Sequence, residues 1–222
     1  MFLKKLLSPF LSKEKFVPWN KGRTVGQKKP LTLKQANKIK SNLERQNKLR
    51  DLALFSCAFD TMLRGVDLLS LKVSDVQDSN GNIRNEFFVR QKKTDKGIQV
   101  GLTPFSQNIL KSWIIISELK ACDFIFIHQR GQNKHVITTD HYRRLIKGWV
   151  KAIGLDPSDY STHSMRRSKA VMIYEVTKRI DVIKSLLGHQ SLSSTYYYLN
   201  TSHLDALKLA REFHFNDRLC SC

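Results

Sequence analysis

The chain of 222 residues is long enough to bury a sizeable core, and its 41 % hydrophobic and 26 % charged residues are typical of a soluble globular protein. Its 38 Lys and Arg against 19 Asp and Glu give a formal net charge of +19, which favours a nucleic-acid partner, although an anionic membrane surface attracts the same charge. Four cysteines do not make a disulfide framework in a chain of this length, and no segment approaches the roughly 20 apolar residues of a membrane span, so we expect an intracellular protein with reduced thiols.

The positive charge is concentrated at the N-terminus. Residues 1–50 carry a net charge of +12, which leaves +7 for the other 172 residues. Residues 1–30 are rich in Gly, Lys and Pro and show neither a helical nor a strand period. We predict a basic N-terminal arm or leader over residues 1–30 and one domain over residues 31–222. The arm either follows a phosphate backbone or is a passive, solvated leader.

Capping signals and apolar spacing predict the first helices. Residues 32–35 match a capping box, in which the Thr32 hydroxyl and the Gln35 amide satisfy free backbone N–H groups. The helix that follows places four apolar residues on one face: Leu33, Ala36, Ile39 and Leu43. A second apolar helix is predicted from residue 49 to residue 63, and a short helix with a turn over residues 67–75.

Two strands follow in an otherwise helical chain. Asn80-Gly81 is a turn signal, and residues 85–93 and 97–102 have strand character. Residues 94–97 join them, so the sequence predicts a β-hairpin. The fold class predicted is therefore mainly α with a small β-hairpin (α+β).

The second half of the chain is again predicted to be helical. Thr103-Pro104 starts a helix to about residue 120, residues 124–127 form a short buried strand, and Thr138 or Thr139 caps a helix that passes Trp149. After Asp156-Pro157 we expect helices at about 162–177, 179–187 and from 193, and a last one from Ser202 towards Phe213. The aromatic residues assigned to the core are Phe87, Phe88, Trp113 and Trp149.

Charged residues recur in pairs at helical spacing. His163 and Arg166 stand three residues apart, so on a helix they share one face, and Arg64 and Asp67 have the same spacing. An aspartate at that position would fix the guanidinium by a charge-assisted hydrogen bond. Paired guanidinium groups suit a phosphodiester, because they bind its non-bridging oxygens and stay charged at neutral pH.

A histidine and three consecutive tyrosines complete this chemistry. Tyr198 follows His189 by nine residues. A tyrosine oxygen that attacks a phosphate would displace a deoxyribose oxygen and keep the bond energy in a phosphotyrosyl link, so rejoining needs no ATP. The leaving oxygen needs a proton, which a lysine on a hairpin would supply. Only one of the tyrosines can face the phosphate, because successive helical residues point about 100° apart.

These residues occur as boxes in a fixed order. The boxes are Leu63–Leu71 with Arg64 and Asp67, Lys92–Thr94 with Lys93, His163 with Arg166, Leu187–His189, and Tyr198. In this order they resemble the tyrosine recombinase family, the phage integrases and their relatives, over roughly residues 31–215. Each box alone is weak, whereas all of them in order make a strong signal.

The resemblance implies a role for each box. Tyr198 attacks the scissile phosphate to give a 3′-phosphotyrosyl intermediate, and Tyr196 and Tyr197 are packing residues. The phosphorane is stabilised by Arg64, Arg166 and His189, while Lys93 protonates the 5′-oxygen, His163 acts as base and then acid, and Asp67 supports Arg64. Lys92 is the alternative to Lys93, because both lie on the same turn. No metal or other cofactor is implied.

The implied partner is double-stranded DNA, bound by a homo-tetramer in the cytoplasm of a bacterial or phage-infected cell, with or without a DNA-bending accessory protein. The residues predicted to contact DNA are Lys21, Arg23, Lys28, Lys29, Lys92, Lys96 and Arg167. A type IB topoisomerase and a non-catalytic DNA-binding module derived from an integrase are the alternatives.

The sequence departs from the family pattern in three places. Met62 stands where a glycine is common, and Arg167 where a second histidine is frequent. Family members also carry a separate helical DNA-binding domain ahead of the catalytic one, whereas only about thirty residues precede it here. We therefore expect a recombinase with a catalytic domain alone, of phage or mobile-element origin.

Overall fold

The computed structural model describes residues 27–130 and 133–199, so most of the predicted arm and the helix predicted from Ser202 lie outside the described residues. The helices are Leu33–Arg45 (α1), Leu49–Thr61 (α2), Gly65–Leu68 (α3), Val73–Val76 (α4), Pro104–Ile116 (α5), Thr139–Ala152 (α6), Thr162–Thr177 (α7), Ile180–Leu187 (α8) and Leu192–Leu199 (α9), with a 3₁₀ turn at Pro157–Asp159. The strands are Glu86–Arg90 (β1), Gly97–Gly101 (β2), Ile127–Arg130 (β3) and Asn133–Val136 (β4). The predicted class, mainly α with a small β component, is confirmed.

The helices start where the capping residues predicted from the sequence lie. The Gln35 N–H donates to the Thr32 hydroxyl (3.3 Å) and the Thr32 N–H donates to Gln35 Oε1 (2.9 Å), which completes the capping box of α1. Thr103 caps α5, and Thr138 rather than Thr139 caps α6. Each hydroxyl satisfies a backbone donor that the first helical turn leaves free.

The central helix is α2, which packs against α1, α5 and α7. Its side chains are buried on almost every face, as expected of a helix surrounded by other elements. A large apolar cluster joins α1, α2, α5 and α6 to the inner face of the β1–β2 hairpin. A smaller cluster under α7, α8 and α9 consists of Met62, Ala170, Ile183, Leu187 and Leu199. The site described below lies between these two clusters.

The β1–β2 hairpin pairs Glu86 with Gly101 and Arg90 with Gly97. Phe87 and Val89 point into the core, whereas Phe88, predicted to lie in the core, is 73 % exposed. The prediction for Phe88 was wrong because side chains alternate across a strand, so two consecutive residues cannot share the buried face. On the predicted apolar face of α1, Ala36, Ile39 and Leu43 are buried, whereas Leu33 at the start of the helix is 59 % exposed.

A second hairpin was missed. The predicted strand at 124–127 is displaced: β3 begins at Ile127 and pairs with β4, with His128 opposite His135. Ile125 and Phe126 are fully buried but lie outside the named strands. The polar composition of residues 128–135 hides the alternation that identifies a strand.

The last four residues of the predicted arm are attached to the domain. The Lys29 N–H donates to the Asp159 carbonyl (2.9 Å), and the Leu31 N–H donates to the buried Ser168 hydroxyl of α7 (2.8 Å). The Gln27 amide donates to the Tyr197 carbonyl (2.5 Å). Residues 27–31 therefore form a segment, here called the strap, that joins α7, α9 and the 3₁₀ turn. Across the described ranges, no helix is both long and apolar enough to cross a membrane.

Candidate active site

Arg166 lies at the centre of the residues selected from the sequence. Its side chain projects from the first turns of α7 and is 3 % exposed. One guanidinium nitrogen donates to the Met62 carbonyl (2.7 Å) and another to the Leu187 carbonyl (2.6 Å). These bonds join the end of α2, the start of α7 and the end of α8 around a single buried cation. Burial lowers the pKa of Arg166, and nearby Arg64 lowers it further, while Tyr198 and Asp67 counteract them.

The carbonyl of Met62 is available because the backbone turns sharply there. Met62 ends α2 in the left-handed region, with φ 50. This conformation explains why a glycine would fit the position, since glycine adopts it without steric cost. The methionine side chain is buried in the smaller apolar cluster, and its packing offsets the strain.

Arg64 follows two residues later, at the N-terminus of α3. Its Nη1 atom lies 3.8 Å from Asp67 Oδ2, which is an ion pair without the hydrogen bond that the sequence predicted. Both atoms are buried and have no hydrogen-bond partner among the described residues. Asp67 is fully buried, and its other oxygen accepts a hydrogen bond from the Lys92 N–H (2.9 Å). Asp67 therefore contacts the hairpin turn as well as Arg64.

The β1–β2 turn presents three exposed lysines, Lys92, Lys93 and Lys96. Gln91, which precedes them, is 1 % exposed and accepts a hydrogen bond from the Thr94 hydroxyl (2.8 Å). The Gln91 amide also reaches the Leu187 carbonyl (3.4 Å). The turn is thus fixed both to α3 and to the end of α8. Lys93 is close enough to His163 for its charge to lower the pKa of that imidazole.

The end of α8 requires a glycine for two reasons. Gly188 has φ +62, and a Cβ added there would lie 3.1 Å from the Gln91 amide nitrogen. A side chain at this position would be strained by the positive φ, and the Gln91 amide would have to shift to make room for it. His189 follows directly, half-buried, and burial followed by the charges of Arg166 and Arg64 lowers its pKa to about 4. The imidazole of His189 is therefore neutral at pH 7.

Tyr198 extends from α9 towards the same cluster. Its hydroxyl donates to the His163 carbonyl (3.4 Å), and its ring meets the His189 ring edge to face with centroids 5.4 Å apart. Burial raises the pKa of Tyr198 to about 12, although Arg166, Arg167 and Arg64 counteract it. Tyr196 and Tyr197, predicted to be packing residues, are 47 % and 72 % exposed, so that prediction was wrong.

His163 stands beside this tyrosine on the first turn of α7. Partial burial of its imidazole, followed by the charges of Arg166, Lys93 and Arg64, lowers its pKa from 6.5. The structure therefore gathers into one basic cluster the residues that the sequence selected as catalytic: Arg64, Lys93, His163, Arg166, His189 and Tyr198. A neutral phenol, two neutral imidazoles and two guanidinium groups in one cluster suit attack by tyrosine on a phosphodiester.

The residues predicted to contact DNA differ in exposure and in hydrogen bonding. Lys28 and Lys29 are exposed, but their ammonium groups bind the Ser158 carbonyl (2.7 Å) and the Asp159 carboxylate (2.7 Å). Lys21 and Arg23 lie outside the described residues. Arg167 is buried, contrary to its predicted surface role, and its guanidinium donates to the Lys28 carbonyl (2.9 Å) and the Leu199 carbonyl (3.4 Å). Its two terminal nitrogens bind backbone carbonyls, so the side chain links the strap to α9, while its buried Nε atom has no hydrogen-bond partner among the described residues.

Some polar groups of the site were missed by the sequence analysis. Gln91 and the carbonyls of Met62 and Leu187 position the charged side chains, and Thr195 contacts His189. Gln91 and Thr195 lie two residues before Lys93 and three before Tyr198, so proximity to the boxes was the available signal. The carbonyls leave no signal in a sequence, since every residue has one.

Comparisons with known proteins identify the family of the chain. Residues 29–204 match the model of the phage integrase family. A tyrosine recombinase of Agathobacter rectalis is 28 % identical over 171 residues, which cover 76 % of this chain and 53 % of the relative. The tyrosine recombinase XerD of Listeria monocytogenes is 26 % identical over 197 residues, covering 85 % of this chain and 63 % of the relative. The chain thus spans between about half and two thirds of the length of these relatives.

The fold has solved counterparts. A crystal structure of the site-specific recombinase XerH bound to its palindromic difH substrate, a post-cleavage complex, superposes with a TM-score of 0.66 at 22 % identity. The match covers 83 % of this chain and 53 % of XerH. The helices and the small antiparallel sheet described above are therefore arranged as in the recombinase fold.

Proposed function

Because this chain belongs to the phage integrase family, we propose that it is a site-specific DNA recombinase that cleaves and rejoins DNA through a 3′-phosphotyrosyl intermediate, without metal or ATP. One observation carries the proposal. The Tyr198 hydroxyl lies in one cluster with Arg64, Arg166 and His189. These three side chains supply the positive charge and the hydrogen-bond donors that stabilise a phosphodiester under attack.

Cleavage begins at the Tyr198 oxygen. A phenol whose pKa is raised to about 12 is protonated at neutral pH, so it needs a base as it attacks. His163 is the base: its lowered pKa keeps the imidazole neutral, and the hydrogen bond from the phenol to the His163 carbonyl keeps the two residues together. The bond from the tyrosine oxygen to phosphorus forms while the bond from phosphorus to the 5′-oxygen breaks.

The negative charge that develops on the non-bridging oxygens is met by Arg64, Arg166 and His189. Arg166 is fixed by two carbonyls and needs no rearrangement, which is the condition under which electrostatic stabilisation is most effective. Lys93 gives its proton to the departing 5′-oxygen from the hairpin turn. Rejoining is the reverse: a 5′-hydroxyl attacks the phosphotyrosyl bond and releases Tyr198.

Double-stranded DNA is the proposed substrate, as in the XerH complex. The exposed lysines of the hairpin turn, Lys92 and Lys96, would contact its phosphates, with Lys28, Lys29, Lys21 and Arg23 on the N-terminal side. We further propose a homo-tetramer on DNA, since two duplexes each cut on both strands require four tyrosines. The reaction is placed in the cytoplasm, where bacterial DNA lies, and an accessory DNA-bending protein is an optional partner.

The test is covalent trapping on a nicked suicide duplex, built on a site selected from a random DNA pool by the protein itself. Wild type in EDTA is expected to give an SDS-resistant adduct, and Tyr198→Phe none. Tyr197→Phe is the matched control, because that exposed neighbour lies outside the cluster, and it should keep the adduct. An adduct that survives Tyr198→Phe moves the nucleophile elsewhere.

Two other outcomes identify the alternatives. Binding without an adduct in wild type favours a non-catalytic DNA-binding module. An adduct together with relaxation of a single supercoiled plasmid, but no strand exchange between two sites, favours a topoisomerase of type IB. Recombinant products between two sites support the recombinase.

A further inference from the structure

A buried hydroxyl contacts the histidine of the site. Thr195 lies on α9, three residues before Tyr198, and is fully buried. Its Oγ1 atom lies 3.1 Å from His189 Nδ1. The sequence boxes do not include this threonine, and the reaction described above does not use it.

The contact decides which nitrogen of His189 carries a proton. A neutral imidazole has a single N–H, on either Nδ1 or Nε2, and the partner of one nitrogen fixes the state of the other. If Nδ1 accepts a hydrogen bond, Nε2 carries the proton and donates. If Nδ1 donates, Nε2 is a bare acceptor and would repel a phosphate oxygen.

The distances indicate the direction of this bond. The Thr195 hydroxyl has one proton and two acceptors within reach, His189 Nδ1 at 3.1 Å and the Ser191 carbonyl at 3.4 Å. Nδ1 is the nearer of the two acceptors, and the ring can donate to a phosphate oxygen only with its proton on Nε2, so we assign the Thr195 proton to Nδ1.

We propose that Thr195 is a positioning residue that holds His189 as the Nε2–H tautomer, so that the ring donates a hydrogen bond to the phosphate during strand cleavage. This inference rests on the proposed function. Thr195 and Tyr198 occupy the same turn of α9. Packing of that turn against the site therefore positions the nucleophile, Tyr198, and also fixes the tautomer of His189, which donates to the phosphate.

The tautomer can be measured without any DNA. The ¹⁵N chemical shifts of His189 in the free protein are expected to show a protonated Nε2 and an unprotonated Nδ1 at pH 7. In Thr195→Val, which keeps the shape and removes the hydroxyl, the two tautomers should mix. A wild-type spectrum with the proton on Nδ1 overturns the proposal, whether or not the protein cleaves DNA.

Cleavage supplies the second readout. Thr195→Val should lower the single-turnover rate by about 10–100-fold, as expected for a group that orients a functional histidine, and Thr195→Ser should recover most of it. In a His189→Ala background the same Thr195→Val change should cost less than about twofold, because Thr195 acts through that ring. An equal loss in both backgrounds would mean a structural role and would overturn the proposal.

The matched control is Thr177→Val, since the Thr177 hydroxyl, like that of Thr195, lies within reach of a carbonyl four residues back, but Thr177 is at the far end of α7. It should leave the cleavage rate unchanged. If Thr195→Val unfolds, the wild-type tautomer and the Thr195→Ser rate still decide the matter. If wild type cleaves no DNA, the proposed function fails, while the ¹⁵N shifts still test the bond.

Discussion

Two ion pairs, whose aspartates Asp60 and Asp67 lie seven residues apart along the chain, are bonded in opposite ways. Asp60 accepts hydrogen bonds from Lys169 (2.9 Å), the Ser106 hydroxyl (2.5 Å), and the N–H (2.9 Å) and hydroxyl (2.7 Å) of Thr103. Asp67 and Arg64 stand 3.8 Å apart, and each leaves a buried atom without a hydrogen-bond partner in the described structure. Both carboxylate oxygens of Asp60 are hydrogen-bonded, whereas one carboxylate oxygen of Asp67 is not.

This difference in hydrogen bonding indicates a different role for each pair. The Asp60–Lys169 pair joins α2, α5 and α7, and both oxygens of its carboxylate are hydrogen-bonded within the protein. In the Asp67–Arg64 pair, Arg64 keeps a donor for a phosphate, which the proposed function requires. Unpaired buried polar atoms cost stability, and here they lie where the proposed reaction needs a free donor.

The largest expected effect is on cleavage by Arg64→Lys. Lysine keeps the charge beside Asp67 but loses the planar fork that binds two phosphate oxygens, so the single-turnover rate should fall about 100-fold or more. The free energy of unfolding should change by less than about 1 kcal/mol. Urea unfolding measures the free energy of unfolding, and cleavage of the suicide substrate measures the single-turnover rate.

Arg143→Lys is the control for that change, because Arg143 forms a surface ion pair with Asp140 at the same spacing. It should alter neither quantity. A large loss of stability in Arg64→Lys with normal cleavage would reverse the comparison between the two pairs.

Asp60→Asn should show the opposite pattern. Removing the carboxylate leaves Lys169 without its counter-charge in a largely buried position, and should cost about 3 kcal/mol of unfolding free energy. The cleavage rate per folded molecule should stay within about threefold of wild type. A much slower rate at full stability would give Asp60 a place in the chemistry.

Met62→Gly tests the backbone between the two pairs. Glycine relieves the left-handed strain, worth about 1 kcal/mol, but it removes a buried side chain, which costs about 2–5 kcal/mol. A net loss of about 2 kcal/mol is therefore expected by urea unfolding. A more stable Met62→Gly protein would show that strain outweighs packing there.

The last expected effect is on the pH dependence of stability. The pKa of His189 falls from about 6.5 in the unfolded chain to about 4, so between these values the unfolded chain binds more protons and stability falls as pH falls. His163 contributes with the same sign. For Asp60, burial raises the pKa, but the hydrogen bonds from Ser106, Thr103 and Lys169 outweigh it, so that pair weakens only at pH below 3.8.

Melting temperatures at pH 7 and pH 4.5 measure this contribution. His189→Gln should reduce the difference between the two temperatures, and Asp60→Asn should leave it unchanged. An unchanged difference in His189→Gln would mean that His189 titrates normally in the folded protein.

Local signals made much of this structure predictable. Thr32, Thr103 and Thr138 begin helices by a bond within a few residues, which a sequence records directly. The boxes likewise identified the charged residues of the site. The same reasoning failed for Phe88, because an apolar residue type does not tell which face of a strand it occupies.

Arg167 and Thr195 show a different limit. Arg167 looked like a surface cation, yet its partners are carbonyls 139 and 32 residues away along the chain. Thr195 is an ordinary helical residue until the fold brings His189 within 3.1 Å. Such roles depend on tertiary distances, which spacing along the chain does not encode.

The strap determines where the chain can be cut. Gln27 and the Lys28 carbonyl hold α9 through the Tyr197 carbonyl and through Arg167, close to the proposed nucleophile. A truncation that stops at residue 26 removes six of the eight Lys and Arg of residues 1–30 and keeps these anchors. One that continues to residue 31 would remove charge and anchors together, so a weakened protein of that length would say nothing about electrostatic attraction to DNA.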